Sequence, residues 1–435
     1  MTRFQIIFTT LLVIFAVVGV ALFALSKNSG SSATAPQLVM WGTFDSATMS
    51  SFLSDVAIKN KRDVNVTYVE KSSSSFEVDL IEALASGRGP DLVLLPQDLI
   101  VKQLDKFYVI PYSSYSERTF KDSFVEAGEL YLIPRSNLGE GGVIGMPFSI
   151  DPLVMYWNRD MLADAGLASP PRNWTELAPL VSKVTKKDGS GNLIQSLVSF
   201  GEIRNVDHAK DIVALLALQA GTPIVSRDTQ GSLVSVFSMQ GRTLAPAEEA
   251  VRFFTEFANP VKPTYSWNRS LARSRTSFVS GRLALYLGYA SELSGIRAAN
   301  PNLNFDVADV PQTGGRSMTF GRVHAIAILK SSQNIGASYV AATTLTSAPI
   351  ITEWVTKSGL PPVRRDLLAS LPSDAYRAVF YKGALNARAW LDPNREGTDT
   401  VFTRLVENVT SGKLLISESV RTASLEIDGL IRNTQ

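Results

Sequence analysis

The chain has 435 residues, more than a single hydrophobic core organises and a length suited to two α/β domains. Hydrophobic residues make up 45% and charged residues 19%, a globular composition, and a net charge of +2 without basic blocks argues against a nucleic-acid partner, which needs a phosphate-neutralising patch. The absence of cysteine excludes disulfides, thiolate zinc sites, cysteine nucleophiles and a lipidated N-terminal cysteine. Two histidines far apart in sequence, His208 and His324, exclude a His-rich metal site, so no metal or cofactor is expected.

Residues 4–25 are almost wholly apolar, long enough at ~1.5 Å per residue to span a hydrocarbon core of about 30 Å. Arg3 and the amino terminus precede this run, so the positive-inside rule puts them in the cytoplasm and the body of the protein outside. The expectation is an uncleaved transmembrane anchor over 1–27 and a Ser-rich tether over 28–36. A cleaved signal peptide, with Ala33-Thr34-Ala35 as its small-residue site, is the alternative.

From residue 38 the pattern is strand (38–42), helix (46–59), strand (64–69), helix (76–85) and strand (92–95). This order predicts a parallel sheet with right-handed crossovers, whose ligands bind beyond the carboxyl ends of the strands. Trp41, Phe44 and Asp45 follow the first strand and Asp98 the third, at the same edge, so they are candidate ligand contacts; Asp45 also suits a helix cap.

The stretch 144–162 reads as a change of domain. Met146-Pro147-Phe148-Ser149 is extended, because Pro147 lacks a donor and keeps Met146 out of the helical region. Ser149, Asp151 and Pro152 interrupt the apolar run, residues 153–157 form a buried strand, and Asn158 starts a helix. Helices are then expected over 174–185 and 209–220, the latter capped by Asn205 or Asp207, and over 246–258 and 270–280; a strand is expected over 194–200. A strand over 283–287 ends in a tight turn at Gly288-Tyr289, and a strand over 323–328 follows a second crossing near Arg322. The remainder reads as helices, among them 335–345, 380–390, 401–409 and 414–431.

Several segments, taken in their order along the chain, resemble a known family: Ser86-Gly-Arg-Gly-Pro-Asp-Leu-Val-Leu-Leu-Pro96, Gly145-Met-Pro-Phe-Ser149, Met155-Tyr-Trp-Asn-Arg-Asp160 and Phe278-Val-Ser-Gly-Arg-Leu-Ala284. From about Gln37 to the C-terminus the sequence is similar to the extracellular solute-binding proteins of ABC importers, nearest to the maltose- and oligosaccharide-binding class. The resemblance implies an α/β, two-lobed periplasmic-binding-protein-like fold of type II, each lobe a mainly parallel sheet flanked by helices. The lobes would be 37–149 with 325–371, and 150–324 with 372–435. It also implies that Glu202, Asn205 and His208 fall where the family contacts its solute, and that Tyr289 and Trp390 supply aromatic rings to a sugar, whose C–H faces pack on such rings. The lipoprotein cysteine of the family is missing, and 201–208 matches only loosely.

The expected function is that of a saccharide receptor on the outer face of the cytoplasmic membrane, delivering its solute to ABC permease subunits by hinge closure of two lobes. A sensor or structural ectodomain on the same fold is an alternative, as is a glycosidase using Asp98 and Asp151 as a carboxylate pair. No nucleophile elbow or phosphate loop points to an enzyme, and phosphate, metal and amino-acid ligands stay open as other solutes.

Overall fold

A computed structural model describes residues 35–60, 63–135, 139–239 and 245–434. The apolar segment 4–25 and its expected anchor lie outside the described residues; among those described, no helix is long and apolar enough to cross a membrane.

Strand β1 (Leu38–Gly42) runs parallel to β2 (Val66–Glu70) on one side and to β3 (Leu92–Pro96) on the other. Helices α1 (Ser46–Lys59) and α2 (Phe76–Ala85) fill the connections. Asp45 starts α1 by accepting the Thr48 N–H at 2.8 Å, and the helix buries Met49, Phe52, Leu53 and Val56 at helical spacing.

Strand β4 (Met146–Asn158) is continuous over 13 residues, so Ser149, Asp151 and Pro152 do not interrupt it. The reason lies in its neighbours. Strand β5 (Leu193–Val198) is followed by helices α3 (Ala209–Ala220) and α4 (Pro246–Glu256), then by β6 (Leu283–Tyr289), β7 (Phe305–Ala308) and β8 (Thr319–Ile328). β4 pairs antiparallel with β8 from Met146 to Pro152, and with β6 on its other side from Leu153 to Trp157. Each neighbour takes over where the other stops. Pro152 therefore sits at the handover, and Pro147 beside a bulge between His324 and Ala325, both positions where a missing N–H is tolerated.

One ten-stranded sheet results, in the order β2-β1-β3-β8-β4-β6-β5 with the short strand Lys186–Lys187 at its end; β7 also pairs with β4, and Ala387–Arg388 with β8. The sheet is mixed, not mainly parallel: β1–β2, β1–β3 and β6–β5 are parallel, whereas β8–β3, β8–β4 and β6–β4 are antiparallel. The antiparallel pairs arise because β4 and β8 pass through the molecule in opposite directions.

Two hydrophobic cores flank this sheet. The change from one core to the other falls between Ile150 and Leu153 on β4, and between Phe320 and Val323 on β8. These are facing positions, since Asp151 pairs with Arg322 and Pro152 with Gly321. Helices α5 (Ile335–Leu345) and α6 (Ala348–Ser358) pack in the first core, and α7 (Arg395–Thr410) and α8 (Ile416–Arg432) in the second.

Three local expectations are corrected. β6 runs through Gly288 to Tyr289 without a turn; Gly288 is needed because a Cβ there would lie 2.5 Å from the Tyr286 ring. The helix expected over 380–390 spans Ala375–Leu385 and stops at Asn386, because Ala387–Arg388 pair with β8, which leaves Trp390 in the following loop. Neither Asn205 nor Asp207 caps α3: His208 occupies the N-cap in the left-handed region (φ 59°), with no side-chain cap. Asp207 instead accepts from Ser274 Oγ and from the backbone N–H and guanidinium of neighbouring arginines.

Candidate functional site

A cleft of about 760 Å³ opens between the two cores, beside the facing crossing points of β4 and β8. One wall carries Ser73, Ser74, Glu77 and the end of β3 with Gln97 and Asp98; Gln97 is held by the Val323 N–H, which donates to its Oε1 at 2.9 Å. The other wall is built from the start of α3, Arg273, Trp390 and the first turn of α7. Arg322 and His324 on β8 form the floor where the walls meet.

Three charged clusters organise the surface. At the floor, Asp211 Oδ2 accepts from Tyr289 Oη and from Arg322 Nη2, each at 2.6 Å, while the Arg322 guanidinium lies 4.0 Å from the centre of the Tyr289 ring. Burial would raise the Asp211 carboxyl, but Arg322 and the Tyr289 hydroxyl outweigh it and hold the group below the ordinary range. On the α3–α7 side, Lys210 Nζ bridges Asp392 at 2.7 Å and Asp399 at 2.8 Å, and sits 5.9 Å from the Trp390 ring centre. Burial would lower this lysine, but the two carboxylates keep it raised and charged. Across the cleft, Arg395 Nε meets Asp98 Oδ2 at 3.4 Å, whereas the buried Asp98 Oδ1 has no hydrogen-bond partner among the described residues. Burial pushes Asp98 up; Arg395 opposes that, and Asp392 on the facing wall adds to it.

Of the residues expected to contact ligand, Asp98, His208 and Trp390 line the cleft. Trp390 is buried, tilted against Phe402 at 6.1 Å, and His208 holds Glu292 through Nε2 at 2.7 Å with Tyr289 edge-on at 4.8 Å. Tyr289 lies just behind the lining, its hydroxyl spent on Asp211. Asp151 lies behind it too, accepting the Ser291 N–H at 3.0 Å. The structure does not bring the others to the lining. Trp41 packs under Lys71, 4.0 Å from its ring centre, and Phe44 packs on Trp354 at 5.5 Å and on His324 at 4.8 Å. Asp45 is the exposed cap of α1. Glu202 pairs with Arg269 at 3.3 Å, and Asn205 ties the 268–271 loop through its amide and takes the Trp267 Nε1–H at 3.1 Å.

Sequence reasoning overlooked Lys210, Asp211, Arg395 and His324. Lys210-Asp211 immediately follow the His208 loop at the start of an apolar helix, a place where a charged pair has little to do with the core; that was the available clue.

Two partly buried groups at the crossing give opposite responses to acid. Burial pushes Asp151 up to about 6, only partly offset by hydrogen bonds from Ser291 and by Arg322. Its folded state therefore favours the protonated form, and its contribution to stability is lost as pH rises through 6. Burial pushes His324 down to about 4, with Arg322 and Arg395 adding to the effect, so its contribution is full above the ordinary value of 6.5 and is lost as pH falls towards 4. The expected outcome is that Asp151→Asn steepens the loss of stability between pH 7 and 4, while His324→Asn reverses it, each by about 2–3 kcal/mol. Urea unfolding of both variants across that range checks this; profiles parallel to the parent's would refute it.

Two cores joined by a pair of crossing strands, with a polar cleft at the crossing, define a two-lobed solute-binding fold. The chain belongs to the bacterial extracellular solute-binding protein family, whose model matches residues 56–380. Its sequence is 23% identical over 256 residues to a binding protein of Brucella abortus (strain 2308), a match covering 58% of this chain and 57% of that one, so the chain spans little more than half of this relative's length. In fold it is similar to the sugar-binding protein MalE from Xanthomonas citri (TM-score 0.73, 19% identity, 91% of this chain and 98% of that one). It is similar as well to a cyclic alpha-maltosyl-1,6-maltose binding protein from Arthrobacter globiformis (TM-score 0.72, 16% identity, 91% and 99%).

Proposed function

We propose that the chain is the extracellular receptor of an ABC importer for a saccharide, held at the outer face of the cytoplasmic membrane by residues 4–25 and working by closure of two lobes. The lobes are 37–149 with 325–371, and 150–324 with 372–435, and Trp390, His208 and Asp98 belong to the site. The observation that carries this is the cleft itself. Its volume of about 760 Å³ falls within the range of small-molecule sites, and its walls combine an indole with hydroxyls, amides and carboxylates, the groups that a polyhydroxylated ring engages. The solved relatives whose names state a sugar share the fold and support the same ligand class. The site binds and releases its solute unchanged.

The test is a calorimetric titration of the full chain with a saccharide panel, with product analysis after incubation. Binding without turnover is expected. Trp390→Ala is expected to weaken that binding by about 1–3 kcal/mol, the range for loss of a packed aromatic contact. Turnover of a bound glycoside would sink the receptor reading, and unchanged affinity would remove Trp390 from the site.

A further inference from the structure

Six carboxylates line the cleft: Glu77, Asp98, Asp211, Asp392, Glu396 and Asp399. Four cationic side chains face them, Lys210, Arg273, Arg322 and Arg395, which leaves a surplus of two negative charges with the histidines neutral. Each cation is already matched. Lys210 holds two carboxylates, Arg322 holds Asp211, Arg273 holds Asp207 through Nε at 2.9 Å, and Arg395 holds Asp98. An anionic solute would have to break one of these pairs and enter a field of its own sign. Among the carboxylates, Glu77 is matched by Lys102 at 2.7 Å from outside the lining, but most of the others are matched less fully. Lys210 is shared between two, Glu396 is exposed and has no cationic partner among the described residues, and the buried Asp98 Oδ1 has no donor among them either. A buried acceptor without a donor costs about 1–3 kcal/mol, a cost that a bound donor removes and a charged donor repays more fully.

We infer that the solute carries a positive charge, a protonated amine on a polyhydroxylated body, and that Asp98 receives that amine. The inference rests on the reading of this cleft as a solute site. Asp98 stands at the end of β3 on one wall, with Asp392 near enough on the other to push its carboxyl up, so a cation between the walls relieves both. The same contact bridges the two cores, which ties recognition of the amine to closure. Arg395 supplies this bridge weakly, at 3.4 Å through one oxygen.

The experiment titrates the full chain at about pH 6, where an amine of ordinary basicity is protonated. Four probes are used: a β-1,4-linked glucosamine disaccharide, its N-acetylated neutral counterpart, a galacturonic acid disaccharide, and spermidine. The glucosamine disaccharide is expected to bind at least about tenfold tighter than the N-acetylated one, with a preference that shrinks as salt is added. Asp98→Asn should abolish the preference, and Glu396→Gln, an exposed change, should reduce it part way. Equal or tighter binding of the neutral disaccharide, or binding of the uronate, would overturn the inference while leaving the saccharide reading intact. Spermidine binding with no saccharide bound would uphold the positive charge and sink the saccharide reading. Binding of none of the four would overturn the inference and leave the saccharide reading to the panel titration.

Discussion

Arg322→Ala is expected to destabilise the protein by about 1–3 kcal/mol, the cost of leaving Asp211 without its cation, reduced from that of a fully buried pair because the Arg322 side chain is 43% exposed at the cleft floor. The stranded group is Asp211, in the first turn of α3, left with the Tyr289 hydroxyl as its one remaining donor in the cluster. Arg322 also faces Asp151 across the β4–β8 pair, so the same change removes the cation that offsets a second buried carboxyl. Arg322→Lys should recover only part of the loss, since an ammonium cannot both reach Asp211 and stack over the Tyr289 ring as the planar guanidinium does. Chemical denaturation at neutral pH reads the effect directly. A loss below about 1 kcal/mol would show that the cluster behaves as a surface pair.

The second large effect is expected at Tyr289. The ring is fully buried in the second core, with His208 on its edge and Arg322 over its face, so Tyr289→Ala leaves a cavity and should cost about 3–5 kcal/mol. Tyr289→Phe keeps the volume and removes only the hydroxyl that donates to Asp211, for which about 1–2 kcal/mol is expected. The pair separates packing from hydrogen bonding. Equal losses in the two variants would mean that the hydroxyl, and not the ring, accounts for the whole effect. Both variants should be read for folding before binding, because Tyr289 supports the floor of the cleft from behind.

The strand–helix alternation at the start of the chain was legible because its apolar residues recur at strand and helix periods: α1 was placed residue for residue and β3 within one residue of its end. At Ser149, Asp151 and Pro152 the sequence shows an interruption of an apolar run, but not the pairing that keeps β4 unbroken. That pairing depends on β6 and β8, more than 120 residues away along the chain. The mixed character of the sheet escaped for the same reason: local alternation of strands and helices cannot say in which direction a returning strand passes. Of the residues lining the cleft, Asp98 is singled out in the sequence by its place after a strand, and His208 and Trp390 by the family resemblance. Lys210, Asp211 and Arg395 were missed, since their partners come from other parts of the chain and charge at a helix start ordinarily reads as solvation.

The single sheet that runs through both halves limits how they can move. Among the described residues the backbone passes between the cores along β4 and β8 at facing positions, where the two strands are hydrogen-bonded to one another, and passes again between Leu368 and Trp390. Sliding one half past the other would shear that ladder and cost several bonds at once, whereas bending both strands together keeps it whole. If the halves move as proposed, this ladder acts as a stitched spine: the mouth of the groove would widen or narrow while Arg322 and His324 at its bottom keep their place, so a bound molecule would meet the same base at every stage.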